Sequence, residues 1–398
     1  MKLFSCGNCE QSVFFESVAC VHCGHTLAFV PDRALVCAME VEPEPGVAPG
    51  DPSEPGVAPV SVPGPVHWRA LGDEPGGALY RPCRNQVEHA VCNWAVRDDD
   101  PNAYCLSCRL NHVIPPLDAP DALRAWHELE TAKRRVLYSL YQLGIPVEGK
   151  SEHPKGLEFN FMRDGVSPGQ PHIFTGHADG VITINAAEAD DAFREKVRNG
   201  LGETYRTVLG HLRHEIGHYY WDRLIAGGPR LAGFRELFGD EQRDYAEAQK
   251  VHYGQGAPRD WPLSFVSAYA SMHPWEDWAE TWAHYLHLTD TLETARAYGL
   301  SLHPKTQSLS GAKPARAASL IAGRIDFHDF DTLIGSWIPL TVALNNLNRS
   351  MGVKDSYPFV LPGPAIEKLR FVHQLISESA AAEAEAHAPE AARLAKAG

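Results

Sequence analysis

The sequence lacks three features that would each assign it to a broad class of protein. No apolar run in its 398 residues is long enough to cross a bilayer. The first residues, Met1 to Cys6, contain neither the apolar segment nor the cleavage site of a secretory signal. The net charge is −14, with 36 Lys and Arg against 50 Asp and Glu. We therefore expect a cytoplasmic protein without membrane association, and the acidic balance argues against nonspecific nucleic-acid binding.

Nine cysteines are present in a chain without a secretion signal, which favours metal binding over disulfides. The first 40 residues hold two C-x-x-C pairs, made by Cys6, Cys9, Cys20 and Cys23. Two such pairs can complete one tetrahedral thiolate site, so residues 1–40 are predicted to form a zinc ribbon. A redox dithiol would need a βαβ pattern that is missing here, whereas iron bound by the same four ligands stays an alternative.

A second group of cysteines has less regular spacing and consists of Cys83, Cys92, Cys105 and Cys108. The closing C-x-x-C pair and the even count predict a second structural zinc module over residues 67–115. His89 or His112 stays an alternative to one of the thiolates. Cys37 is left over and is predicted to be a small core residue.

Composition divides the rest of the chain. Residues 41–66 contain Glu-Pro-Gly-Val-Ala-Pro twice and predict a flexible Pro/Gly-rich linker or insertion. Residues 377–398 are rich in Ala and Glu and predict a disordered tail. Residues 116–376 alternate helical periodicity with short strand patterns. The predicted class is therefore α+β, with a mostly helical domain and a small mixed sheet behind the two cysteine modules.

Two local features of this domain carry further predictions. An amphipathic run from Asp121 to Leu143 predicts a helix, on which Lys133, Arg134 and Arg135 are expected to form a solvated face. Val181–Asn185 follows a His-Ala-Asp-Gly turn and predicts a β-branched strand.

The central motif is His214-Glu215-Ile216-Gly217-His218, an H-E-x-x-H sequence within a helical apolar pattern. Residues four apart lie on one face of a helix, so His214 and His218 can bind one metal ion together. Glu215 lies beside that face, where a carboxylate can serve as general base for an attacking water. The less specific interpretation is an amphipathic helix with two histidines that have other hydrogen-bond partners.

A second helical pattern begins at Pro274 and contains Glu276, Glu280 and His284 at steps of four. Two carboxylates and an imidazole on one helix face, among tryptophans, are costly to bury without a cationic partner. A metal held by the H-E-x-x-H histidines would be that partner. Spacing alone does not decide which of the three side chains binds it.

The combination of His214–His218 with Glu276 and Glu280 resembles the gluzincin metallopeptidases. The resemblance implies a zincin-like domain in which Glu276 is the third ligand of a catalytic zinc and Glu280 braces a ligand histidine. It also implies a tyrosine that stabilises the oxyanion, matched here by Tyr269; His211 and His273 are alternatives for that role. By analogy with zincins, Val181–Asn185 is expected to be the edge strand that binds an extended substrate.

The whole layout resembles a bacterial family of zinc-binding metallopeptidases with an N-terminal zinc ribbon, over roughly residues 1–370. This implies a hydrolase of peptide bonds with one catalytic and two structural zinc ions, acting on a peptide or protein substrate. A protein partner bound through the ribbons stays open. The rival hypothesis is a noncatalytic zinc protein whose ribbons bind a protein or nucleic acid. A zinc hydrolase acting on another amide is a third interpretation.

Overall fold

The computed structural model describes residues 2–42, 67–74, 76–164, 173–201, 206–303, 320–321, 323, 325–355 and 361–386. The chain divides into two compact units. The cysteine unit comprises Leu3–Asn111 and Pro116–Arg134, and the helical unit comprises Met1–Lys2, His112–Pro115 and Arg135–Gly398. The predicted linker lies outside the described residues from 43 to 66. None of the described helices is long and apolar enough to cross a membrane.

The cysteine unit is built from short strands. A two-stranded β1-β2 sheet is accompanied by a five-stranded antiparallel sheet in the order β3-β4-β5-β6-β7. The two predicted cysteine modules thus contribute strands to one sheet, while the division into separate modules stays a prediction. The elements are β1 (Phe4–Ser5), β2 (Ser12–Val13), β3 (Leu27–Val30), β4 (Leu35–Glu42), β5 (His67–Ala70), β6 (Leu79–Pro82), α1 (Arg84–His89) and β7 (Ala95–Arg97).

Aromatic packing joins the segments around the two cysteine groups. The ring centroid of Phe29 lies 4.8 Å from that of Phe15 and 4.9 Å from that of Trp94. Asn93, next to Cys92, donates from Nδ2 to the carbonyl oxygen of Phe15 at 2.6 Å and accepts from the amide of Phe29 at 2.8 Å. The segments around the two groups therefore contribute to one core.

Helix α2 (Ala122–Gln142) begins in the cysteine unit and ends in the helical unit. The solvated face predicted for its basic residues is wrong for Lys133 and Arg134, which are buried. Lys133 is paired with the buried Glu130, with Nζ 3.0 Å from Oε2, and Arg134 donates to the carbonyl oxygen of Val91 at 2.7 Å. Burial by itself would lower the pKa of Arg134. Cys92, Glu130 and two further cysteines of the second group outweigh this effect and raise its pKa overall. Local periodicity could not reveal these partners.

The helical unit contains a four-stranded mixed sheet in the order β10-β11-β9-β8, in which β11 pairs parallel with β9 and antiparallel with β10. Val181–Asn185 is therefore an inner strand, and the prediction that it forms the edge is wrong. The short strand β10, formed by Gly176–Ala178, occupies that edge because the turn before Val181 folds back on it. The sheet strands are β8 (Asn111–Val113), β9 (Glu158–Met162), β10 (Gly176–Ala178) and β11 (Val181–Asn185).

Helices make up most of the helical unit. Its predicted disordered tail is corrected in part, because residues 377–386 continue the last helix, and residues 387–398 lie outside the described part of the chain. Together with the sheets, these helices confirm the α+β class. The remaining elements are α3 (Asp191–Leu201), α4 (Val208–Leu224), α5 (Leu231–Phe238), α6 (Tyr245–Gln255), α7 (Pro274–Ala297), β12 (Ser301–Leu302), β13 (Leu320–Ile321), α8 (Phe330–Ser350) and α9 (Gly363–Ala386).

Helices α4 and α7 pack closely against each other at Gly217. A Cβ added at this glycine would lie 3.0 Å from Cα of Ala279 and 3.2 Å from Cβ of Trp282. Trp278 donates from Nε1 to the carbonyl oxygen of Gly217 at 2.7 Å, and the ring of Tyr220 stacks on Trp282 at 4.8 Å. This contact brings the H-E-x-x-H motif of α4 beside the first turn of α7.

Candidate metal centre and active site

Helix α4 presents His214 and His218 on one face, one turn apart. It begins at Thr207, whose hydroxyl accepts from the amide of Gly210 at 2.9 Å and caps the N-terminus. The Nε2 atoms of the two histidines lie 3.2 Å apart. The sequence-predicted histidine pair is thus brought together in a geometry that permits shared metal coordination.

Glu276, in the first turn of α7, completes this group. Its Oε2 lies 3.0 Å from Nε2 of His214 and 3.6 Å from Nε2 of His218. Helix α7 is positioned by Pro274 at its N1 position and by His273, which caps it by accepting from the amide of Trp275 at 3.2 Å. His273 therefore serves the helix terminus and does not line the cavity at the histidine pair.

The three converging atoms fit a metal ion. Among the described residues, Oε2 of Glu276 is buried without a hydrogen-bond partner, and the residue as a whole is only 2% exposed. Burial would raise the pKa of Glu276, but His218 and His214 hold it well below its usual value, so the carboxylate is ionised. Two imidazole nitrogens and an ionised carboxylate oxygen are a donor set that zinc prefers in open sites.

Glu280 lies on the other side of His214. Its Oε1 is 2.7 Å from Nδ1 of His214, and its Oε2 accepts from the hydroxyl of Ser267 at 2.6 Å. A carboxylate at Nδ1 fixes which nitrogen of His214 carries the proton and leaves Nε2 for a metal. His284, the third side chain left open by spacing, lies one turn further, with Nδ1 3.1 Å from the carbonyl oxygen of Glu280, outside the three-residue group.

Tyr245 is a site residue that the sequence analysis missed. Its hydroxyl donates to Oε1 of Glu276 at 2.8 Å, so the carboxylate is held from the side opposite the histidines. Tyr245 belongs to α6, and the polar sequence of this segment did not predict a helix. No sequence motif connects Tyr245 with Glu276. Tyr269 lies nearby, with its ring centroid 6.0 Å from that of His214 and its pKa raised by burial. The phenol of Tyr269 is therefore protonated at neutral pH.

Glu215 follows His214 on α4 and is buried beside His211. Its Oε1 lies 3.3 Å from Nε2 of His211, whose Nδ1 lies 2.6 Å from Oε2 of Glu188. Burial raises the pKa of Glu215, but His211 and His214 lower it overall, so the group is an ionised carboxylate. Burial likewise opposes the charge of His211, but Glu188 outweighs it and raises the pKa of His211 to about 9.

His214, His218, Glu276, Glu215 and the residues that contact them line one cavity of about 1270 Å³, whereas His273 does not. Strand β10 contributes His177, whose ring lies parallel to that of His218 at 6.5 Å. Burial, reinforced by His218, lowers the pKa of His177 to about 4, so this imidazole is neutral. The sequence pattern around His177 predicts only a turn. Aromatic side chains line the wall near α6 and α7, among them Tyr253, Trp261, Tyr269 and Trp275.

The cysteine unit holds two groups of four thiols that match the predicted sets. Within each group, all four sulfurs lie within 4.8 Å of one another. Sulfur separations of 3.6 Å join Cys6 to Cys23, Cys9 to Cys20 and Cys92 to Cys105. A tetrahedral ion with bonds of about 2.3 Å to sulfur requires separations close to this value. Cys37 lies outside both groups, as do His89 and His112.

These features are those of a zinc-binding metallopeptidase with an attached zinc ribbon, and the comparison with known families agrees. The family described as "Putative zinc-binding metallo-peptidase" matches residues 122–375, and the chain belongs to it. A zinc-ribbon domain family matches residues 3–119. The resemblance of the whole layout to a family of zinc-binding metallopeptidases with an N-terminal zinc ribbon is thereby confirmed.

Three curated relatives cover nearly the whole chain. They are uncharacterized proteins of Mycobacterium bovis and of two strains of Mycobacterium tuberculosis. Each is 39% identical over 382 residues, which is 96% of this chain and 96% of the relative. No solved structure gives a significant match.

Proposed function

We propose that the protein is a zinc-dependent peptidase of the zincin type, in which His214, His218 and Glu276 hold the catalytic zinc. The main support is that two imidazole nitrogens and a buried oxygen of Glu276 converge in residues that line one cavity. That oxygen has no hydrogen-bond partner among the described residues. Zinc held there would polarise a peptide carbonyl and lower the pKa of water to about 7. Two further zinc ions in the cysteine groups would have structural roles.

Glu215 is the general base in this proposal. It lies next to a ligand histidine, is ionised, and faces the same cavity. It takes the proton of the attacking water and transfers it to the leaving nitrogen as the peptide bond breaks. Glu280 and Tyr245 keep His214 and Glu276 oriented, because each is hydrogen-bonded to the atom that faces away from the shared point.

Tyr269 and His177 are the candidates for stabilising the negative charge that develops on the carbonyl oxygen. Both line the cavity, and both are neutral near pH 7, so Tyr269 can donate from its hydroxyl and His177 from a ring nitrogen. Of the alternatives weighed from sequence, His273 caps α7, and His211 is engaged by two carboxylates. The tyrosine implied by the resemblance therefore keeps its proposed role.

A peptide substrate would lie along strand β10. This strand ends the sheet, and its residues line the cavity that contains Glu215 and the histidine pair. A sheet edge offers unpaired backbone groups that bind an extended peptide by adding a strand. The noncatalytic alternative, in which only the cysteine unit acts by binding a partner, gives no role to a buried, ionised Glu215 in an open cavity.

The test compares wild type with Glu215→Gln on a mixed peptide library analysed by mass spectrometry, with zinc measured in both proteins. We expect cleavage by wild type and a loss of about 10²–10⁴-fold in the variant at equal zinc content. Glu236→Gln, an exposed change on α5, is the matched control and should behave as wild type. Equal activity in Glu215→Gln would refute the mechanism. Cleavage confined to small acyl amides, and dependent on Glu215, would keep the reaction class and replace the substrate class.

A further inference from the structure

A buried acid outside the metal centre has an arrangement that the proposed mechanism does not use. Glu188 follows strand β11 and is 4% exposed. Its Oε1 accepts from the hydroxyl of Thr175 at 2.6 Å, and its Oε2 lies 2.6 Å from Nδ1 of His211. A buried carboxylate is costly unless its hydrogen bonds are satisfied, and here both oxygens have partners.

His211 joins this acid to Glu215. One ring nitrogen faces Glu188 and the other lies 3.3 Å from Oε1 of Glu215. The contact with Glu188 has hydrogen-bond geometry, and the contact with Glu215 lies at an ion-pair distance. His211 and Glu215 are also one helical turn apart on α4, which fixes their backbones relative to each other. The result is a continuous chain from Thr175 through Glu188 and His211 to Glu215.

We propose that His211, held by Glu188, is a positioning residue that orients the carboxylate of Glu215 for catalysis. A carboxylate has two oxygens, so one can be fixed by His211 while the other receives the proton of the attacking water. This inference rests on the proposed function of Glu215 as general base. It assigns a role to two residues that do not bind the metal and belong to no part of the H-E-x-x-H motif.

The same chain connects the base with the proposed substrate strand. Thr175 directly precedes β10, and its hydroxyl also accepts from the amide of Asn185 on β11 at 3.1 Å. The segment that enters the edge strand is thus tied to Glu188, and through His211 to Glu215. These contacts therefore fix the position of the proposed substrate strand relative to the base. This matters for catalysis because a small misplacement of a reacting group can lower the rate by up to about 10²-fold.

The test uses zinc-loaded His211→Leu, His211→Gln and Glu188→Gln. Leucine removes both donors, whereas glutamine keeps an amide that can reach the position of Nε2 and donate to Glu215. We expect kcat to fall about 10–100-fold in His211→Leu and less in His211→Gln, with KM and zinc content unchanged. Glu188→Gln keeps an acceptor for His211, so its kcat should lie between those of wild type and His211→Leu. Glu195→Gln, an exposed change on α3, is the matched control.

Crystal structures of the same variants supply a readout that does not depend on turnover. The carboxylate of Glu215 should change its side-chain rotamer in His211→Leu and keep it in Glu195→Gln. An unchanged rotamer with unchanged kcat would overturn the inference. So would a parallel fall in zinc content and thermal stability, together with a changed KM, in every His211 variant. If zinc-loaded wild type cleaved no peptide, the proposed function would fall, and the rotamer of Glu215 would still decide whether His211 positions it.

Discussion

The cysteine unit and the helical unit place their candidate metal ligands in different surroundings. In the cysteine unit, six of the eight clustered thiols are buried, and the core also contains Phe15, Phe29 and Trp94. Strands there have two to eight residues. In the helical unit, the ligand histidines lie at a cavity wall, while Trp278, Trp282 and Tyr220 fill the interface of α4 and α7.

Under the proposed function, this difference would separate a structural from a catalytic use of zinc. The cysteine unit is built from short strands, and a zinc ion in each four-thiol group would cross-link them and offset the entropy of ordering them. Helices α4 and α7 bury large aromatic side chains against each other and do not depend on an ion for packing. We therefore expect metal loss to unfold the cysteine unit and to leave the helical unit folded. Variants in each unit test this expected difference.

The largest effect is expected for Cys20→Ser. Cys20 is buried in the first cysteine group, and structural zinc contributes about 10–16 kcal/mol to folding of small zinc modules. The variant should lose one zinc ion, and limited proteolysis should cleave within Leu3–Asn111. Cys37→Ser, which alters the cysteine outside both groups, is the matched control. A Cys20→Ser protein with a protected cysteine unit would contradict the structural role of this site.

A smaller effect is expected for Tyr245→Phe. The change removes the donor to Oε1 of Glu276 and leaves a buried carboxylate oxygen unsatisfied. We expect zinc affinity at the histidine site to fall about 10–100-fold, measured by competition with a chelator, while the cysteine sites stay loaded. Tyr298→Phe, at an exposed tyrosine, serves as control. Unchanged affinity in Tyr245→Phe would show that Tyr245 does not support the ligand.

The smallest effect is expected for Gly217→Ala. Alanine gains about 1 kcal/mol of helix propensity, but its Cβ would meet the backbone of Ala279 at 3.0 Å, where the neighbour has little freedom to move. We expect a net loss of about 1–2 kcal/mol in unfolding free energy. Gly335→Ala, in helix α8 with open space around it, should instead stabilise the protein. Chemical denaturation of both variants measures the difference, and a stabilised Gly217→Ala would refute the close packing.

The parts of the site that were predicted from sequence depend on local spacing. The H-E-x-x-H pair and the four-residue step from Glu276 to Glu280 are set by helix geometry, and three of the four cysteine pairs are set by C-x-x-C spacing; Cys83 and Cys92 were grouped by the even count of cysteines. Spacing could not choose between Glu276 and Glu280, because both lie on one face of α7. Their different positions around His214 follow from how α7 packs on α4.

The parts that were missed depend on contacts between distant segments. Tyr245 reaches Glu276 across 31 positions, and Glu188 reaches His211 across 23. The edge strand was misassigned because strand order follows from pairing, which a β-branched pattern does not encode. Lys133 was misplaced because charged residues on a helix usually face solvent, and its buried partner Glu130 was not recognised as one.

The central claim is that the H-E-x-x-H site and the cysteine groups bind zinc separately. The most direct test compares the zinc content of purified wild type with that of His214→Ala/His218→Ala by elemental analysis, and the helix content of both proteins by circular dichroism. We predict about three zinc ions per chain in wild type and about two in the variant, with the same helix content in both. Equal zinc content in the two proteins would contradict the account, because the H-E-x-x-H helix would then hold no metal.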